Sequence, residues 1–166
     1  VFYQKGLTAL TLPATLDSIG NYAFYDNDGL TTLTIPESVK YIGDHAFYDC
    51  DKLTSVTISA ETIGSYAFYS CNELASVVTT NSVKKIDDYA FYYCQKLSSF
   101  TFGNSVQSIG TAAFSSCPLL KNVSLPNSIE NVANNSFGSA TYTTEGNASY
   151  LGNTENPYLV LVKSNS

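Results

Sequence analysis

Arginine is absent from the 166 residues, histidine occurs once, and only 13% of the chain is charged. Eight lysines stand against 14 acidic residues, which leaves a net charge of −6. Nucleic acid and anionic lipid both select concentrated positive charge, so both are excluded as partners. No apolar run approaches the roughly 20 residues that a membrane-spanning helix needs, so membrane insertion is excluded for this segment. The chain opens without Met, without a basic stretch and without a signal-type apolar run. Residue 1 is therefore expected to be a cut in a longer polypeptide. What is present is apolar mass. Hydrophobic residues make up 44% and aromatic residues 13%, enough for a core and too much for a disordered chain.

The apolar residues repeat. Leu7, Leu30, Leu53, Leu74, Leu97 and Leu120 each open one unit, at spacings of 23, 23, 21, 23 and 23 residues. The short unit loses two residues between Ile58 and Ile63, inside one connecting segment. Val1 to Gly6 fits the tail of a preceding unit, with Phe2 in its Phe position. Self-similarity at this period marks a solenoid, in which one unit cannot bury its own apolar face and a neighbour on each side closes the core.

Within a unit the period changes. Leu30, Leu33 and Ile35 alternate with polar residues as in a strand. Ala46, Phe47, Cys50 and Leu53 then follow at i, i+1, i+4 and i+7, the spacing of one helix face. The residue after the Gly position is Asn21, Asp44, Ser65, Asp88, Thr111 and Asn134 in turn. All six are types that cap helix N-termini. The expectation is an α/β solenoid of about six 23-residue units, with one parallel sheet and short helices opposite it. Phe24, Phe47, Phe68, Phe91, Phe114 and Phe137 form its spine.

The pattern L-T-x-L-T-I-P-x-S-V-x-x-I-G-x-x-A-F-x-x-C, clearest from Leu30 to Cys50, resembles the BspA-like leucine-rich repeats of bacteria, which also occur in trichomonad surface proteins. The likeness covers residues 1–140. The tail from Tyr150 to Val162 is also similar to a segment that follows such repeat blocks. The resemblance implies a secreted or cell-surface module for protein binding or adhesion, with an extracellular protein or glycan as partner and further domains of the same longer chain as neighbours. The sixth unit departs by losing the Cys and carrying Ser136 for Ala, and the fourth puts Thr79 in a core strand slot and Asp87 in the Gly slot. After residue 140 two extended runs around Glu145-Gly146-Asn147 are expected to pair as a β-hairpin-like cap and connector over residues 141–166.

Reactive chemistry is scarce. Cys50, Cys71, Cys94 and Cys117 occupy one repeat position, so rungs about 4.8 Å apart spread the four sulfurs over about 14 Å. That is too far for a shared zinc ion, and parallel Cβ bonds on equivalent rungs disfavour disulfides. Buried free thiols are expected. His45 stands alone, Asp87-Asp88 fall at pre-cap and cap sites, and no nucleophile, phosphate-loop or metalloprotease motif occurs. No catalytic residue, metal or cofactor is expected, and the chain is read as a non-enzyme. The triplets at Asn122, Asn134 and Asn147 would be glycosylation acceptors only in a eukaryotic secretory pathway.

Two rows carry the recognition hypothesis. Tyr22, His45, Tyr66 and Tyr89 precede the Ala of each unit, and Tyr25, Tyr48, Tyr69 and Tyr92 follow the Phe. They are candidates for a partner-binding strip, because tyrosine gives a large contact area at low entropy cost. The competing reading is stacking between coils or against an adjacent domain. A second candidate surface is the sheet face at Thr11, Thr34, Thr57 and Thr101, although it offers no charged or aromatic anchor. Two functions thus remain, a binding or adhesion module and a structural spacer within a larger surface protein.

Overall fold

The computed structural model describes residues 6–121, 123–133, 135–138, 143–145, 148–151 and 160–164. The strands in the repeats are Ser18–Ile19 (β1), Thr32–Ile35 (β2), Tyr41–Ile42 (β3), Ser55–Ile58 (β4), Thr62–Ile63 (β5), Ser76–Thr79 (β6), Lys85–Ile86 (β7), Ser99–Thr101 (β8), Ser108–Ile109 (β9) and Asn131–Val132 (β10). Two parallel sheets run along the stack. One joins the longer strands in the order β2-β4-β6-β8, the other the two-residue strands in the order β1-β3-β5-β7-β9-β10. The one-sheet expectation is thereby corrected. The second sheet escaped the sequence reading because a two-residue strand has no period to detect.

Pairing is in register. Leu33 faces Val56 and Ile35 faces Ile58, while Thr32, Ser55, Ser76 and Ser99 align on the outer face. The inward residues of both sheets meet the Leu, Ala, Phe and Cys positions in one continuous core. Thr79 sits in that core without stranding its hydroxyl, which donates to Thr101 O at 3.3 Å and accepts from Gly103 N–H at 2.9 Å. Ser136 is satisfied likewise, donating to Gly110 O at 2.8 Å. A buried hydroxyl with partners costs far less than one without.

No helix occurs among the described residues, so the short helices are also corrected. Where they were expected, each coil makes tight turns. Ala23 N–H donates to Gly20 O at 3.2 Å, and Tyr22 sits at φ 57° inside that turn. The alternate amides leave the coil. Tyr22 N–H reaches Asp44 O at 2.9 Å, Phe24 N–H reaches Ala46 O at 2.8 Å, and Asp26 N–H reaches Tyr48 O at 2.8 Å. The next coil repeats this from His45, Phe47 and Asp49 to Ser65, Ala67 and Tyr69. A two-turn helix leaves four amides and four carbonyls orphaned at its ends, whereas stacked turns send them to the neighbouring coil. The alternative costs two left-handed residues per coil, such as His45 at φ 57° and Asp49 at φ 58°, at about 1–2 kcal/mol each.

Three of the six residues expected as helix caps serve this stack instead. Asn21 Oδ1 accepts from Asp44 N–H at 2.9 Å, Asp44 Oδ1 from Ser65 N–H at 2.9 Å, and Asp88 Oδ1 from Thr111 N–H at 2.7 Å. Each side chain thus caps the coil above its own. Asn134 lies outside the described residues. The preceding Gly is required by the same closeness, since a Cβ on Gly43 would stand 2.5 Å from Asn21 N. Where the fourth coil carries Asp87 in that slot, its carboxylate pairs with Lys85 Nζ at 2.7 Å.

Beyond the repeats, Thr143–Glu145 (β11), Ala148–Leu151 (β12) and Val160–Ser164 (β13) form a separate antiparallel sheet in that order. Phe2, Asn122, Asn147 and Tyr158 lie outside the described residues. No helix among the described residues is long and apolar enough to cross a membrane.

Candidate functional site

The turn that replaces the helix also builds the aromatic strip. Left-handed backbone at Tyr22, His45, Tyr66 and Tyr89 turns these rings outward, while Phe24, Phe47, Phe68 and Phe91 two residues later point into the core. In-register stacking then places each ring on its equivalent in the next coil. Tyr22, His45, Tyr66 and Tyr89 stack with centroids 4.7, 4.8 and 4.9 Å apart and planes within 11°. Tyr25, Tyr48, Tyr69 and Tyr92 stack at 4.9, 4.6 and 5.3 Å, again within 11°. The two rows are joined sideways, as between His45 and Tyr48 at 5.4 Å and Tyr66 and Tyr69 at 5.8 Å. All eight sequence-predicted strip residues therefore come together.

Their accessibility is uneven. Tyr22 is 46% exposed and the other seven are half-buried. Tyr93, which the sequence reading did not single out, is also 46% exposed and lies against Tyr92, 6.4 Å between centroids. Inside the rows each ring face is covered by the ring above or below, so edges and hydroxyls are what the strip presents. Partial burial raises the pKa of Tyr48 and Tyr66 above the usual phenol value, so both stay protonated at neutral pH. Burial also lowers the pKa of His45, against a smaller opposing pull from Asp44.

On the sheet face, Thr34, Thr57, Val78 and Thr101 align across β2, β4, β6 and β8. Thr11 is exposed and lies outside any strand. Val78 interrupts the hydroxyl row and is 44% exposed.

The four cysteines are free and fully buried. Each thiol donates to the carbonyl of a Phe in the preceding coil. Cys50, Cys71, Cys94 and Cys117 reach Phe24, Phe47, Phe68 and Phe91 at 3.3, 3.2, 3.2 and 3.1 Å. Desolvation pushes the Cys50 thiol up to about 12 and those of Cys71 and Cys94 well above normal. A thiol held protonated is a poor nucleophile and a poor metal ligand. Asp88 is engaged by the Thr111 amide and Asp87 by Lys85. Among the described residues, no three His, Cys, Asp or Glu side chains converge as a metal-holding group.

The model of the BspA type leucine rich repeat region matches in six copies over residues 1–62 and 61–150. The chain belongs to the BspA-type leucine-rich repeat family. Solved structures agree. A leucine-rich repeat protein from Eubacterium ventriosum is 26% identical with a TM-score of 0.77, over 84% of this chain and 38% of that one. A leucine rich cell surface protein from Faecalibacterium prausnitzii is 25% identical with a TM-score of 0.52, over 76% and 44%. The leucine rich repeat protein of T. pallidum is 28% identical with a TM-score of 0.50, over 76% and 73%. This leucine-rich repeat chain thus spans less than half the length of the first two. No curated protein matches it. The family is in general a non-catalytic scaffold.

Sequence reasoning missed the inter-coil ladder of Asn21, Asp44 and Asp88. No signal in the sequence separated it from a cap, because one cap per unit and one acceptor per coil recur at the same spacing.

Proposed function

We propose that this chain is a non-catalytic recognition module of a bacterial cell-surface protein, which binds an extracellular protein or glycan through the strip formed by Tyr22, Tyr25, His45, Tyr48, Tyr66, Tyr69, Tyr89 and Tyr92. The observation that carries the reading is the double row of half-exposed aromatic rings, held rigid by its own stacking. Rigid tyrosine offers apolar area and a hydroxyl with little entropy left to lose on binding. Since ring faces are occupied by neighbouring rings, edges and hydroxyls remain for the partner. That favours protein over a sugar, which binds ring faces. The surface location rests on family membership and on the F. prausnitzii relative described as a cell surface protein. Residues 141–166 serve in this reading as a cap and connector to neighbouring domains.

A structural spacer is the second reading, and the same stacked faces favour it, because stacking between coils stiffens the solenoid whether or not a partner arrives. The double variant Tyr48→Ser/Tyr69→Ser, tested on arrays of extracellular proteins and glycans, separates the two. Recognition predicts that the wild-type chain binds and the folded variant does not. Lower melting temperature with binding intact, or no binding by the folded wild type, leaves the spacer.

A further inference from the structure

The oxidation chemistry of this chain is unusually narrow. It contains no Met and no Trp, and its four thiols are fully buried, with desolvation raising the pKa of Cys50, Cys71 and Cys94, which shields them from the ordinary thiolate route to sulfenic acid. Tyrosine is what remains for a one-electron oxidant. Tyr22 and Tyr93, both 46% exposed, offer entry points, and each touches the row of Tyr25, Tyr48, Tyr69 and Tyr92, Tyr22 at Tyr25 with centroids 6.0 Å apart and Tyr93 at Tyr92. Within that row Tyr48 and Tyr69 lie nearest, 4.6 Å apart with planes 6° from parallel. Near-parallel rings at that separation lie face to face, the approach in which two phenoxyl rings couple.

We propose that Tyr48 and Tyr69 form a site of oxidative cross-linking, in which a peroxidase and hydrogen peroxide join the two phenols as dityrosine and staple one coil to the next. Each phenol loses its O–H hydrogen atom to give a phenoxyl radical. The two radicals form one carbon–carbon bond between ortho carbons, and each displaced ring hydrogen moves to its own oxygen to restore the aromatic ring. Hydrogen peroxide takes up the two hydrogen atoms and leaves as two waters. Proximity turns an ordinarily bimolecular coupling into an intramolecular one, so the cross-link forms within a single molecule. Tyr25 and Tyr48, and Tyr66 and Tyr89, are each 4.9 Å apart, so the Tyr48 and Tyr69 rings stand closest.

The intact chain, dilute, is treated with a haem peroxidase and hydrogen peroxide, then followed by dityrosine fluorescence, gel mobility and peptide mass mapping. The expected product is a monomer two hydrogens lighter, with Tyr48 and Tyr69 joined. Tyr48→Phe, which keeps the ring stack, should lose most of the fluorescence. Tyr22→Phe and Tyr93→Phe should slow its appearance without changing the pair, and prior unfolding should scatter the coupling. Cross-links found only between molecules, or confined to Tyr3, Tyr142, Tyr150 or Tyr158, overturn the proposal. So does undiminished fluorescence in Tyr48→Phe, or a first oxidation that lands on the thiols.

Discussion

Phe68 shows at the scale of one residue how the stack is held. Its ring is fully buried, 5.1 Å from Phe47 and 5.2 Å from Phe91, with planes within 7°. Its amide donates to Ala90 and its carbonyl accepts the Cys94 thiol. Phe68→Ala should therefore cost about 3–5 kcal/mol in chemical unfolding, and a variant that melts with the parent removes the ladder from the account. The Phe positions and their burial were legible in the sequence, because a large apolar residue recurring every 23 residues has no other place to go. His45 makes a pH prediction. Its pKa in the folded chain lies below the usual value, while the unfolded value is near 6.5. The unfolded chain therefore binds more protons between the two, and stability is full above about pH 6.5 and declines as pH falls through the folded pKa. His45→Tyr, which matches the residue in the neighbouring coils, should flatten that part of the difference curve. An unchanged pH dependence between pH 5 and 7 would show that the ring is not desolvated.

At the scale of the element, the turn segment teaches why part of the fold was hidden. Ala46, Phe47, Cys50 and Leu53 have helical spacing, and all four are buried, so the periodicity identified the right core residues and the wrong backbone. Periodicity reports which side chains face inward; it does not report φ. His45 and Asp49 both lie in the left-handed region, and no glycine marks those positions. Asp44 and Asp88 misled for a related reason, since a carboxylate that accepts a backbone N–H suits a helix cap and an inter-coil ladder equally. The ladder makes its own prediction. Asp88→Ala removes the acceptor from Thr111 N–H and should cost about 0.5–2 kcal/mol, as a lost cap does, whereas Asp88→Asn should cost much less. Equal losses in urea unfolding would mean that charge, rather than the hydrogen bond, matters there. The aromatic strip was legible as two rows of residues. That their faces are spent on each other was not, because stacking depends on the rung-to-rung approach and composition carries no such distance.

For the whole molecule, stability should be close to a sum of coils and their interfaces, since each coil bonds only to the one before and the one after. Ion pairs follow the same rule, with Lys84 on Glu61 and Lys96 on Glu73 linking consecutive coils at 3.0 and 2.6 Å. Excising residues 53–73, one complete repeat, should leave a folded chain that melts at a lower temperature in a single transition, and excising half a repeat should not. Loss of folding in both would point to a core that is not modular. The measurement that bears most directly on the stacked-turn solenoid is the NMR coupling carried across a hydrogen bond from an amide nitrogen to its acceptor carbonyl. The Phe68 amide should couple to the carbonyl of Ala90 in the next coil, 2.8 Å away. Coupling to the carbonyl of Gly64 instead, the partner a helix would give it, contradicts the account.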